Sequence, residues 1–270
     1  MPKSKMLLLV NIPSMNDLPA SERWLLKDHA METLSWIGPY LDEYVSYRVV
    51  PPPADMYDDV VRHGYYNWRV TNHVYSEPTP PPSQLWTIVA PLPHPARREA
   101  TQVEQIYSTK AKGTKAAPLM HVLCFVPLVP TEDFKGKDLD PRETNILRWV
   151  TVHKYPEGVP VEEGEKWYLE THAKEVLEQP GLIRYYSFRT LSYSGHPPYP
   201  WHRVSELWYE DFNSWKKSVV DEPPAYTLPP WAKYETYPFL QPYVDFASAF
   251  ILERPTNDFL RDYTGYFIHV

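Results

Sequence analysis

Two stretches decide the fold: Ser21–Leu34, SERWLLKDHAMETL, and Gly164–Leu177, GEKWYLETHAKEVL. Laid over each other without a gap, they agree at seven of fourteen positions: Glu22/Glu165, Trp24/Trp167, Leu26/Leu169, His29/His172, Ala30/Ala173, Glu32/Glu175 and Leu34/Leu177. An internal repeat governs the reading of everything around it, because each copy must fold as the same unit. Apolar residues recur at three- and four-residue spacing (Leu26, Ala30, Thr33; Leu169, Ala173, Val176), the period of a helix with one buried stripe. Downstream, Tyr44-Val-Ser-Tyr-Arg48 matches Tyr185-Tyr-Ser-Phe-Arg189 once the first copy is allowed two extra residues in the connection. Upstream, each helix follows a β-rich run, Met6–Ile12 and Ile146–His153. Each half therefore begins strand–helix–strand.

The remainder supplies a further strand, helix and strand to each copy. In the first these are Leu85–Ala90, Ala96–Thr109 and Leu119–Val129. In the second they are Arg203–Glu210, Asp211–Val220 with Asp211 as N-cap, and Phe246–Glu253. The βαββαβ order is that of the ferredoxin-like unit, an α+β fold. The expected organisation is a first repeat over 1–131, a polar linker over 132–144 and a second repeat over 145–270. Each antiparallel sheet carries helices on one face only and must cover the other. The two sheets are expected to pack face to face into one α/β barrel.

Composition narrows the function. The chain has 270 residues, 43% hydrophobic and 23% charged, enough for real cores and incompatible with wholesale disorder. The 31 Pro against 9 Gly point to rigid loops, and 10 Trp with 21 Tyr point to aromatic cavity walls or interfaces. A net charge of −7 argues against a nucleic-acid binder. Cys124 is the single cysteine, so an intrachain disulfide or thiolate-rich metal centre is excluded. It sits in the apolar run HVLCFVPL and reads as a buried strand residue. Met6–Val10 is too short an apolar run for a signal peptide, and 18 consecutive apolar residues occur nowhere. A cytoplasmic protein with no membrane partner is expected. Walker A, G-x-S-x-G and G-x-G-x-x-G strings do not occur.

On a helical wheel His172 falls at the edge of the buried stripe, with Tyr168 one turn before it and Glu175 three residues after. An imidazole there suits general acid/base work, its pKa raised by the carboxylate and lowered by burial. The competing reading is a structural histidine bonding a backbone carbonyl at the helix–sheet seam. The first copy keeps His29 and Glu32 but has Leu25 in place of Tyr168, so the second half is expected to hold the site, with His29 a subsidiary contact. Trp24 and Trp167 fall roughly 160° from the stripe and are expected to pack under a Pro-rich loop or the other half.

Strand parity leaves Ile183, Tyr185, Ser187 and Arg189 competing with Arg184, Tyr186 and Phe188 for the cavity wall. Trp208 and Tyr209 pose the same choice. His153 shares a face with Trp149 and Thr151 and either meets His172 across the cavity or faces solvent. His196 and His202 flank a Pro-rich loop without metal-ligand spacing, and no metal is expected.

The string Glu165–Arg189, EKWYLETHAKEVLEQPGLIRYYSFR, resembles the EthD-type branch of the dimeric α/β-barrel superfamily. The resemblance is carried by Glu170, His172, Ala173, then Pro180, Gly181, Leu182, Arg184 and Tyr185. The first half keeps Asp28, His29 and Ala30 but departs where it reads Tyr40-Leu-Asp-Glu-Tyr44. What this implies is a tandem barrel and an enzyme whose reaction stays open. The superfamily includes cofactor-free dehydratases, decarboxylases, cyclases and isomerases, quinone-forming monooxygenases, and haem enzymes that bind iron through a histidine.

The expectation drawn is a cofactor-independent lyase or isomerase acting on an aromatic or polyketide-like small molecule. His172 is its acid/base, Tyr168 and His153 assist, and Tyr185, Trp208, Arg184, Tyr186 and His29 contact substrate. A haem-dependent enzyme and a non-catalytic binding or assembly protein are the alternatives, and a homodimer remains open.

Overall fold

The computed structural model describes residues 3–11, 18–63, 82–91, 119–136, 146–192, 200–241 and 244–263. The first repeat runs β1 (Lys3–Asn11), α1 (Leu18–Trp24), a π turn (Leu25–His29), α2 (Ala30–Ile37), β2 (Glu43–Arg48), α3 (Tyr57–Arg62), β3 (Pro82–Pro91) and β4 (Leu119–Pro127). After β5 (Glu132–Lys135) the second runs β6 (Leu147–His153), α4 (Val161–Trp167), a π turn (Tyr168–His172), α5 (Ala173–Val176), β7 (Arg184–Arg189) and β8 (Arg203–Tyr209). It closes with α6 (Phe212–Lys216), a π turn (Lys217–Asp221), β9 (Phe246–Leu252), β10 (Asn257–Asp258) and α7 (Phe259–Tyr263). Asp211 caps α6 as expected, accepting the Ser214 N–H at 2.7 Å. The expected helix Ala96–Thr109 and the loop residue His196 lie outside the described residues.

Both sheets are antiparallel, ordered β10-β2-β3-β1-β4 and β5-β7-β8-β6-β9. Stripped of β10 and β5, each has the ferredoxin-like order, so the α+β duplication stands. Each repeat sends a further strand to the other repeat's sheet. Beyond β4, β5 pairs with β7, and beyond β9, β10 pairs with β2. The exchange is closely symmetric. Thr131 Oγ1 accepts from Arg189 N–H as Thr256 Oγ1 does from Arg48 N–H, both at 2.8 Å. Phe134 packs on Tyr185 at 4.8 Å as Phe259 does on Tyr44 at 4.6 Å. The stretch from 132, expected as a linker, thus opens with a strand. Four residues suffice to pair at an edge, and alternating apolar residues are too few in so short a run to mark it.

One buried core joins Leu7, Leu9, Val122 and Cys124 of the first sheet to Val150, Val152, Ala249 and Ile251 of the second. The sheets are stitched at two equivalent edges, where Val50 N–H donates to Phe250 C=O and Leu191 N–H to Phe125 C=O, each at 2.8 Å. Among the described residues no continuous ladder closes them into the expected single barrel, since each ladder ends within its own five strands. Burial pushes the Cys124 thiol up to about 12, which leaves it an inert core residue. No helix among the described residues is long and apolar enough to cross a membrane.

Candidate functional site: a cavity between helix and sheet in the second repeat

The π turn Tyr168–His172 sets the geometry. The Ala173 N–H reaches back five residues to the Tyr168 carbonyl, and one such turn rotates every residue beyond it relative to an α-helical wheel. Trp167 and His172, which that wheel places apart, meet with ring centroids 4.8 Å apart. The expectation that Trp167 stands away from the site is therefore corrected: it lines the cavity and also packs on Trp231, just beyond the Pro-rich stretch, at 5.2 Å. The first repeat has the same turn at Leu25–His29, with Trp24 stacked on His29 at 4.6 Å.

The cavity is walled by Trp149, Thr151, His153, Tyr168, His172 and Tyr185, and by Tyr237 and Leu240 from the irregular segment before β9. It is narrow. About 20 Å3 is open to the centre of a water molecule, where one water needs roughly 10–15 Å3. The parity left open by the sequence is thereby decided for Tyr185 and Ser187, whose alternation places them under the helix. His153 does meet this space. Its ring lies 5.2 Å from Tyr168, and His172 lies 5.3 Å from Tyr168 and 5.6 Å from Tyr237.

Both imidazoles are dry. His172 is 8% exposed and His153 4%. Burial lowers His172 to about 3 and takes His153, with help from the neighbouring His172 and Arg203, well below the ordinary value. Both rings are neutral near pH 7. Among the described residues, Nδ1 of His172 and Nε2 of His153 have no hydrogen-bond partner. The expected Glu175 contact is absent from this arrangement: Glu175 turns outward and accepts from the Thr227 hydroxyl at 2.5 Å and the Thr227 N–H at 3.0 Å. Among the described residues, no backbone carbonyl accepts from His172 either.

Tyr168 is held differently. Its hydroxyl lies 2.7 Å from that of Tyr185 and 2.8 Å from Ser205 Oγ, and donates to Ser187 Oγ at 2.9 Å. A phenol has one hydrogen and two lone pairs, so three partners use its full capacity. Burial raises its pKa, while those hydrogen bonds and Arg203 pull it back part of the way.

Arg203, which sequence reading missed, organises this floor. It is 1% exposed, with Cζ 4.4 Å over the Tyr168 ring. It donates to Glu165 through Nε at 2.8 Å and Nη2 at 2.7 Å, to Ser187 at 2.9 Å, and to Glu132 of the exchanged strand β5. Burial would raise Glu165, but the Arg203 and Tyr155 hydrogen bonds and the arginine charge hold it below the usual value. Tyr155 reaches Glu165 at 2.6 Å because position 164 is glycine; a Cβ there would lie 2.3 Å from the Tyr155 ring. The available signal was parity: Arg203, Ser205 and Leu207 alternate on one strand.

Four expected contacts lie elsewhere. Arg184, Tyr186 and Trp208 share the opposite parity and face the first sheet, where Arg184 packs on both rings. His29 is buried in the first repeat, against Trp24. His202 accepts the Tyr155 N–H at 3.0 Å through Nδ1 and stacks on its ring.

No group of three His, Cys, Asp or Glu residues among those described could hold a metal ion. The setting of the imidazoles does not suit an axial haem ligand: His153 faces the Tyr168 ring, and His172 lies against the Tyr168 and Tyr237 rings.

A family model described as the chalcone isomerase N-terminal domain matches residues 2–87, about a third of the chain. That is a different family from the EthD-type branch, and the match stops short of the cavity. No curated protein sequence matches the chain significantly. Among solved structures, an anthrone oxidase-like protein is 10% identical with a TM-score of 0.48, over 96% of this chain and 93% of that one. A mutant chlorite dismutase from Candidatus Nitrospira defluvii is 9% identical at TM-score 0.42, covering 96% and 94%. An encapsulated DyP-type peroxidase from Mycobacterium smegmatis is 11% identical at 0.43, covering 96% and 94%. Likenesses this distant carry no argument about activity.

Proposed function

We propose that the second-repeat cavity is the active site of a cofactor-independent lyase or isomerase that moves a proton on an aromatic or polyketide-like small molecule. The observation that carries this is the pair of desolvated, neutral imidazoles, His172 and His153, each with an open ring nitrogen in a space walled by aromatic side chains. His172 in the empty cavity is a weak base. A negative charge developing on an enolate or phenolate beside it raises its pKa, so proton transfer is coupled to the charge the substrate generates. Tyr168 acts through its hydroxyl partners rather than by donating directly, because its proton is already given to Ser187. The EthD-type string Glu165–Arg189 agrees with this reading, as does the isomerase named in the family model over residues 2–87.

One observation favours a second reading, a non-catalytic protein: the cavity is close to filled. Incubation of enolisable aryl ketones with the protein in D2O separates the two. Deuterium should enter beside the carbonyl, and His172→Ala should slow its entry by roughly 10²–10⁴-fold. Exchange no faster than in buffer across the panel, or an unchanged rate in His172→Ala, ends the enzymatic reading.

A further inference from the structure

One cavity-lining residue stands apart from the rest. Tyr237 keeps partial exposure, whereas the other residues around the cavity are buried. The chain just before it runs on the surface, with Lys233, Glu235 and Thr236 exposed. The mouth of the cavity is therefore at Tyr237, and the tyrosine ring closes it. That ring lies nearly parallel to the His172 ring, at 11° and 5.6 Å, and stacks on Tyr226 at 3.9 Å. His63 of the first repeat lies 5.9 Å from it.

Tyr237 belongs to residues 223–241, which form no helix or strand. A segment without ladder hydrogen bonds opens locally more readily than the sheets beside it. Two side-chain braces hold it to the helix. Glu175 accepts from the Thr227 hydroxyl, and Gln179 donates to the Tyr226 hydroxyl at 2.8 Å while accepting from Tyr209 at 2.6 Å. The Tyr226 hydroxyl is in turn hydrogen-bonded to that of Tyr237. Two residues beyond, Phe239 sits at φ 65°, a left-handed conformation that is costly for a bulky side chain. The closed path is braced rather than relaxed.

We propose that Tyr237 is the gate of this cavity: its ring swings out to admit an aromatic ligand, whose own ring takes its place against His172. The narrowness of the closed cavity follows, since the gate fills the ligand's position. A flat ring is the favoured occupant because Tyr237 already shows that one stacks there on the imidazole. The gate presupposes that the cavity takes a ligand, as proposed above, and not that the ligand reacts there.

The test is titration of the full chain with p-cresol, the tyrosine side chain as a free molecule, following the Tyr237 ring protons by NMR and assigning them with Tyr237→Phe. Stacking on two rings shields these protons, and binding should return them toward ordinary shifts. Tyr226→Ala removes one brace and should tighten p-cresol binding by about tenfold, as when an open population rises from roughly 1% to 10%. Glu175→Ala, which changes no lining residue, should shift affinity in the same direction, so the test survives if Tyr226→Ala unfolds. A side chain that merely packs against the site would weaken binding instead. Absence of p-cresol binding, a Tyr237 signal that binding leaves in place, or affinity tightened in neither variant overturns the gate. Cyclohexanol binding more tightly than p-cresol overturns the aromatic ligand class. Deuterium exchange with Tyr237 unmoved would overturn the gate and keep the proposed enzyme, whereas displacement of Tyr237 without exchange would support the gate alone.

Discussion

The two repeats share a frame and differ in what fills it. Both carry the five-residue π turn ending in histidine, with a tryptophan ring against that histidine. Both pair the arginine at the end of the second strand of the repeat with the glutamate near the helix start, Arg48 with Glu22 and Arg189 with Glu165. The contents diverge along the registers. Where Leu8 opposes Trp86 and Val10 opposes Gln84 in the first sheet, Thr151 opposes Ser205 and His153 opposes Arg203 in the second. The first core accordingly closes with Met6, Leu8, Val10 and Ile88. The second holds the Arg203 guanidinium, the hydroxyls of Thr151, Tyr168, Tyr185, Ser187 and Ser205, and two imidazoles in the same layer. One backbone arrangement therefore supports a dry core or a polar cavity, and a handful of inward positions chooses between them.

The sharpest way to break this comparison is to remove, in each repeat, an arginine that binds the glutamate near the helix start. Arg203→Met leaves Glu165 and Glu132 without their buried partner, and urea denaturation should show a loss of about 3–5 kcal/mol. Arg48→Met in the first repeat removes a pair whose arginine side chain is 58% exposed, and should cost under about 1 kcal/mol. Equal losses would mean that Arg203 does not organise the second repeat.

The imidazole in the polar cavity should leave a pH signature. His172 has a folded pKa of about 3, below the ordinary 6.5. The stability it contributes is therefore complete above about pH 6.5 and is lost as pH falls toward 3. Between pH 7 and 5 that loss is about 2 kcal/mol. His172→Phe should flatten the dependence of the denaturation midpoint on pH by this amount. A slope unchanged by the substitution would show that His172 is solvated.

The smallest effect expected concerns the helix start. Gly164→Ser installs the residue found at the equivalent Ser21, and its Cβ must displace the Tyr155 ring. A loss of at least about 1 kcal/mol is expected in thermal or urea unfolding, with the Tyr155–Glu165 hydrogen bond broken. Ser21→Gly should cost no more than the roughly 0.5–1 kcal/mol of a helical glycine. The reverse ranking would mean that Tyr155 yields freely.

The duplication was legible because Ser21–Leu34 and Gly164–Leu177 align without gaps, and because strand and helix periods differ. His172, Tyr168, His153 and Tyr185 were singled out from sequence as candidates, and the structure gathers them around one cavity. Trp167 was misplaced because wheel arithmetic assumes α-helical turns throughout, and Arg184, Tyr186 and Trp208 because alternation fixes a face only relative to a known core. Arg203 looked like an ordinary strand-end charge until its two carboxylates, 71 and 38 residues away along the chain, were placed beside it.

The order of residues by itself determined that a βαββαβ unit occurs twice, since that depends on local periodicity and on identities between the copies. Tertiary structure alone decided which sheet face meets the helix, how the exchanged strands β5 and β10 tie the halves together, and which ionisable groups are buried neutral or paired. Those outcomes depend on desolvation and on contacts between residues distant in the chain, and no local pattern carries that information.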